Sequence, residues 1–269
     1  MRICLRERNR RGMTLPELLI ASAVTAMIGL TLAGITAAVN TGNSHVAGRA
    51  TATQHARVTL ERIRRTIDHA HGSESFPACV VFADTIGTHH FPDTLVVWQP
   101  TTTATNPTGL PTVGELVIYA PAATDPGILL ECTNRSSTAA VPALSNTSGW
   151  FTLIDDFLTS NSASRVELTN LVRTAEVRAN ALPSSTSAER ATVRFHVLMT
   201  PNETEWTQFR AGTRTWNNVT WPLDFRGANV GVRRVVCQME LQLLPQRDGA
   251  VDDTLPFFGS FPYTYSLNR

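Results

Sequence analysis

Lysine is absent from the 269 residues, so all 23 basic residues are arginine. This reads as a compositional bias rather than as chemistry. Charge of either sign is scarce, with 17% charged residues and a formal net charge of +1. A dedicated nucleic-acid-binding domain carries a marked basic excess, so no nucleic-acid partner is expected. Four cysteines are too few for a disulfide-dense miniature. No CxxC or HExxH spacing occurs, nor an EF-hand loop, a GxSxG elbow or a phosphate-cradling glycine loop. His69-x-His71 and His89-His90 lack further ligands at a defined spacing and read as solvated loop residues. Asp155-Asp156 and Asp252-Asp253 read as turn acids. No enzyme class, cofactor or metal therefore gains positive support. No internal repeat occurs, which argues against a solenoid or propeller. What the chain does have is 42% hydrophobic residues, enough for one large domain or two small ones around a real core.

The apolar residues are unevenly placed. Residues 1–12 carry five arginines and one glutamate, whereas the 22 residues from Leu18 to Val39 carry no charge. As a helix, that run spans about 33 Å, the thickness of a bilayer hydrocarbon core. The basic leader stays on the cytoplasmic side, which places the rest of the chain across the membrane. Gly29, Gly34 and several Ala, Ser and Thr residues suit a helix that packs against others in lipid. A secretory signal cut near Thr36-Ala37-Ala38 is one alternative, although the apolar run exceeds the usual length of such segments. A plain signal anchor is another. Neither accounts for Glu17, a carboxylate at the mouth of the apolar run that calls for a partner.

The run Arg11-Gly12-Met13-Thr14-Leu15-Pro16-Glu17-Leu18-Leu19-Ile20 resembles the processing site of type IV pilins and type II secretion pseudopilins. The resemblance covers about 13 contiguous residues together with the basic leader and the apolar helix. It implies cleavage after Gly12 by a membrane-embedded prepilin peptidase, which also methylates the new amine on Met13. It further implies that Glu17 pairs with the N-terminal amine of a neighbouring subunit during fibre assembly. Pairing turns a buried charge into a compensated one. Gly12 suits a peptidase that needs close backbone approach, and Pro16 lies early enough in the helix to be tolerated. Family members most often begin with phenylalanine, where this chain would begin with Met13, an apolar residue of similar reach. Loss of the leader would leave 18 basic and 21 acidic residues, removing the charges that hold the helix in place.

Beyond the apolar run, Val46, Leu60, Ile63 and Ile67 continue at near-helical spacing, with Glu61 and Arg65 as an outward i, i+4 pair. The pattern predicts one helix from Met13 to about His71, stopped at Gly72, with Asn40–Asn43 and Gly48 as points where it would bend. Residues 73–269 then read as β-rich, giving an α+β chain: leader 1–12, helix 13–72, globular domain 73–269. Expected strands are Cys79–Ala83, Thr94–Gln99, Glu115–Ala120, Ile128–Thr133, Thr192–Met199 and Val230–Leu243. Cys237, Met239, Leu241 and Leu243 alternate with Gln238, Glu240 and Gln242, the mark of a half-buried strand. Pro100–Pro111, Ser136–Ser148 and Ala181–Ser187 read as polar loops, and Asp155–Leu182 fits helix or strand equally. A long helix followed by a β-rich domain is the order of elements in pilins, where the helix packs on a sheet. Within that family the chain resembles the larger minor subunits, the J-type minor pseudopilin or the W-type minor pilin.

Cys4 would leave with the leader, and the other three cysteines would face a compartment that permits disulfides. Cys79 and Cys132 are nearest in sequence and form the favoured pair; three buried unpaired thiols are the alternative. Trp206, Phe209, Trp216 and Trp221 read as residues folded onto the core rather than as a partner-facing patch. Two functions are expected from these readings. The first is a non-enzymatic subunit, single-pass in the inner membrane, whose partners are the prepilin peptidase/methyltransferase and other pilin or pseudopilin subunits. The second is a signal-anchored periplasmic binding module or enzyme, suggested by the size and long loops of residues 73–269.

Overall fold

The computed structural model describes residues 13–180, 187–246 and 253–269. The chain divides into two compact units, the first ending at Gly48 and the second running from Arg49 to Arg269. A single helix, α1 (Leu15–Asp68, 54 residues), contributes to both. It is shorter at each end than the sequence pattern predicts. It also runs through Asn40–Asn43 and Gly48 without interruption, since a helical glycine costs only about 1 kcal/mol.

In the first unit every residue from Met13 to Ala47 is exposed. The most apolar 18-residue window of α1 has a mean hydropathy of 2.2 and no buried residue, so length and composition suffice to cross a membrane. The serine and threonine hydroxyls of this stretch are satisfied within the helix. Thr25, Thr31 and Thr36 donate to the carbonyls of Ala21, Met27 and Leu32, each at 2.8 Å. Ser22 donates to Leu19 at 2.9 Å. In hydrocarbon no water replaces such bonds, so internal bonding is what makes these hydroxyls tolerable there.

The second unit begins with the remainder of α1, whose buried residues Ala52, Ala56, Thr59, Ile63, Thr66 and Ile67 recur every three or four positions. One face of the helix is thus a stripe that must be covered. The outer face carries the expected Glu61–Arg65 pair at 2.9 Å, with Arg64 bridging Glu61 and Asp68.

The chain then forms β1 (Cys79–Ile86), β2 (His89–Trp98), β3 (Leu116–Pro121) and β4 (Leu129–Thr133). Helix α2 (Thr147–Thr159) precedes β5 (Ser164–Thr169), which completes a five-stranded antiparallel meander in chain order. A hairpin of β6 (Thr174–Arg178) and β7 (Ser187–Ala191) follows. The third sheet joins β8 (Val193–Thr200), β9 (Val230–Leu243) and β10 (Leu255–Asn268) in the order β10-β9-β8, with α3 (Glu203–Arg210) after β8. The α+β class expected from the sequence is the observed one.

Alternation along the five-stranded sheet separates two cores. Val97, Val117 and Tyr119 face a core shared with α1 and the three-stranded sheet. Val96, Trp98, Leu116, Ile118 and Cys132 face a second core closed by Trp150, Ile154 and Phe157 of α2. Asn146 caps α2 by accepting from the Gly149 amide at 3.0 Å, and the three apolar residues fall on one face at spacings of four and three. The aromatic group expected to fold inward does so. Trp206, Trp216 and Trp221 are at most 5% exposed, and Trp216 and Trp221 have ring centroids 4.6 Å apart. Gly231 lets the Trp221 ring approach the backbone, since a Cβ there would lie 2.3 Å from it.

A polar seam ties α1 to the five-stranded sheet. Arg62 donates to both oxygens of Glu131 at 2.5 and 2.8 Å, Tyr119 donates to Glu131 at 3.1 Å, and the Thr66 and Tyr119 hydroxyls are 2.6 Å apart. Burial pushes the Tyr119 phenol far above its ordinary range, with the Glu131 charge adding to the effect. Glu131→Ala should lower unfolding free energy by about 1–3 kcal/mol. Arg62 can re-solvate, which keeps the loss below that of a fully buried pair. Denaturant unfolding of the full chain in detergent checks this.

A second prediction concerns Asp93, buried on β2 and 3.9 Å from Arg190. Burial raises its carboxyl to about 6, against the opposing pull of Arg190. The folded state therefore holds the proton more tightly than the unfolded chain, whose value lies near ~3.9. Stability falls as pH rises from about 4 to about 6 and stays lower above that range. Asp93→Asn should stabilise the domain by about 1–2 kcal/mol at pH 8 and have little effect at pH 4, measurable from thermal unfolding at the two pH values.

Candidate functional site

The site the sequence singles out lies where the apolar helix begins. Gly12, the residue before the expected cut, lies outside the described residues. Met13 is 67% exposed and precedes the helix. Thr14 is the residue before the first helical position, and Glu17 is in the first turn. Glu17 accepts from the Thr14 amide at 2.9 Å and from the Thr14 hydroxyl at 2.8 Å. The first amides of a helix have no partner within it, and a glutamate reaching back to the capping residue supplies one. Pro16 belongs to the same turn, where its missing N–H leaves no bond unmade.

This local role of Glu17 adds to the one that the resemblance implies. The signal was present in the Thr14-x-x-Glu17 spacing, the pattern of a capping box. In the single chain Glu17 is thus a satisfied helix cap rather than an unpartnered carboxylate. Its acceptor positions are exposed, so a cation arriving from outside can replace or join Thr14. Leu15, Leu18, Leu19 and Ile20 present apolar surface beside it, all at least 59% exposed.

The expected Cys79–Cys132 pair is not formed, and the sheet's register gives the reason. Cys79 pairs with Val97, Val97 with Val117, and Val117 with Thr133, so Cys132 stands one residue out of step on the opposite face. Three strand spacings, about 14 Å, also separate β1 from β4, well beyond disulfide reach. Cys79 lies in the core shared with α1, and Cys132 lies in the α2 core. The nearest pair in sequence is therefore corrected.

The second unit also carries an apolar groove of about 960 Å³, which the sequence did not indicate. Val81, Phe195, Val197, Met199, Met239 and Phe258 line it, with Arg194, Glu203 and Glu240 as its charged residues. Phe258 is 71% exposed. Such a surface can hold apolar side chains or a small apolar ligand.

No protein-family model, curated protein or solved structure matches the chain. Its functional reading therefore rests on its own residues.

Proposed function

We propose that the chain is a minor pilin- or pseudopilin-like assembly subunit, without catalytic activity of its own. It inserts once in the inner membrane with its β-rich domain in the periplasm. The prepilin peptidase/methyltransferase cuts after Gly12 and methylates Met13. The mature subunit then joins a short fibre, a type II secretion pseudopilus or a type IV pilus, at its tip or during its initiation. The supporting observation is the coincidence of three features: the Gly12-Met13 junction, the exposed Glu17 carboxylate in the first helical turn, and an apolar helical surface without internal cover. A helix this apolar needs lipid or other helices around it. A fibre of like subunits supplies the second after the membrane supplies the first.

Cleavage tests the processing step. Co-expression with a prepilin peptidase should shorten the chain by the twelve leader residues, and Gly12→Leu should abolish that shortening because the added side chain blocks close approach. Shortening that persists in Gly12→Leu would count against the assignment.

One observation favours the other reading, a signal-anchored periplasmic binding module. The groove of about 960 Å³ is large enough for a small apolar ligand. That reading predicts an uncut Gly12 junction and ligand binding that survives removal of the helix.

A further inference from the structure

We propose that the groove bordered by β1 and β8 is a strand-addition site, which takes an extended, uncharged segment of a partner polypeptide with apolar side chains at alternate positions. The direction of the main-chain groups along the two strands carries the proposal. The Trp98 amide donates to the Ala78 carbonyl at 2.9 Å, so Val80 and Phe82 are the next residues to bond with β2. Antiparallel ladders alternate, and Cys79 and Val81 therefore turn their N–H and C=O groups to the open side of β1. Likewise the Gln242 amide donates to the Thr192 carbonyl at 3.2 Å, so Arg194, His196 and Leu198 bond with β9. Phe195, Val197 and Met199 then face the open side of β8. All five outward residues line the groove. Among the described residues no strand pairs with the open side of either edge.

Folded proteins blunt exposed sheet edges with proline or charge. The same alternation makes Pro256 and Pro262 outward residues of β10, where they have no N–H to offer. It makes Arg165 and Glu167 the outward residues of β5. The outward positions at the groove carry neither device, and Val81, Val197 and Met199 are only half-buried. A second copy offers no matching strand, because its β5 and β10 edges are the blunted ones. The charges of the groove are already compensated. Glu203 pairs with buried Arg233 at 2.9 Å, and Arg194 stands opposite Glu240 across the β8–β9 ladder. A charged segment finds no complement there, whereas Val81, Val197, Met199 and Met239 offer contact to alternate apolar side chains. An added strand supplies the missing main-chain partners. The site lies within the β-rich unit and does not depend on cleavage at Gly12.

The test titrates the full chain, in detergent, into a fluorescent peptide of about eight residues that alternates valine with threonine, the length of a strand. Saturable binding is expected, together with slower amide exchange in β1 and β8. Val197→Pro removes one outward N–H without touching the β9 ladder. It should weaken binding at least ~10-fold while thermal unfolding stays unchanged. Val197→Thr keeps that N–H and should bind as the unsubstituted chain does. Where Val197→Pro disturbs folding, Val81→Pro makes the same deletion on the β1 edge and carries the same expectation. Undiminished binding by a folded proline variant would make the groove a pocket for side chains alone and overturn the proposal. Binding that does not saturate below about 1 mM would overturn it as well. Self-association of the free chain that Val197→Pro abolishes would also refute it, since a second copy would then be the occupant.

Discussion

The Glu17→Ala chain is expected to insert into the membrane and fold, yet to be missing from the sheared fibre fraction. Glu17 has two roles open to it, and its replacements separate them. Within one chain its carboxylate caps α1 through the Thr14 amide and hydroxyl. In a fibre, the same carboxylate would meet the N-terminal amine of a neighbour. Glutamine keeps an oxygen that can accept from Thr14 but carries no charge to hold a cation. If capping were the whole role, Glu17→Gln would assemble while Glu17→Ala would not. The account predicts that both fail, with membrane insertion and the thermal unfolding of the β-rich domain unchanged. Fibre recovery equal to the unsubstituted chain in either variant would remove Glu17 from the assembly mechanism.

The largest stability effect belongs to Trp150. It is fully buried, stacks on Phe82 at a centroid distance of 5.0 Å and lies 5.9 Å from Phe76, and its ring N–H donates to the Ala143 carbonyl at 3.2 Å. Trp150→Ala would empty the centre of the α2 core, and such truncations lose about 3–5 kcal/mol. The lost ring would also release the Ala143 loop. Chemical denaturation should show that loss without a change in processing at Gly12, because the helix start lies in the other compact unit. A loss under about 1 kcal/mol would mean that the core collapses to fill the gap.

Much of the second unit was legible because its strands alternate. Cys237, Met239, Leu241 and Leu243 of β9 are all buried, and the residues between them are less so, as the pattern requires. Four of the expected strands begin within one residue of the observed β1, β3, β4 and β8, and Val230–Leu243 matches β9 throughout. β2 starts at His89, five residues before the expected Thr94, because its outer half is a polar hairpin with no apolar run to mark it. β10 was missed because Pro256, Gly259 and Pro262 interrupt its apolar residues. An edge strand tolerates prolines whose missing N–H faces outward, and among the described residues β10 pairs with β9 alone. β6 and β7 form a short two-stranded hairpin rich in charge, which leaves no alternation to read. The undecided stretch Asp155–Leu182 holds the end of α2, β5 and β6 in turn, so neither a helical nor a strand period could fit it whole. The expected loop Ala181–Ser187 falls almost wholly outside the described residues.

Helix α2, by contrast, has a local signal in the sequence. Asn146 followed by Trp150, Ile154 and Phe157 is a cap and an apolar face, hidden at the end of a polar run. Two further features are set by the fold and have no signal in one dimension. Proximity in sequence suggested Cys79 with Cys132, but the pleat decides which face each cysteine takes, and that parity exists only once the strands are paired. The groove is similarly invisible in one dimension, since β1, β8, β9 and residues of β10 all contribute to it. At the helix start the position was clearer. The motif, the charge-free run and the carboxylate are contiguous, so the sequence placed them together before any folding.

The central claim is that this N-terminus is a processed assembly signal, and the intact mass of the protein from its native membrane tests it most directly. The account predicts a chain beginning at Met13 and carrying one added methyl group on its terminal amine. A chain beginning at Met1, or one cut near Val39, would contradict it.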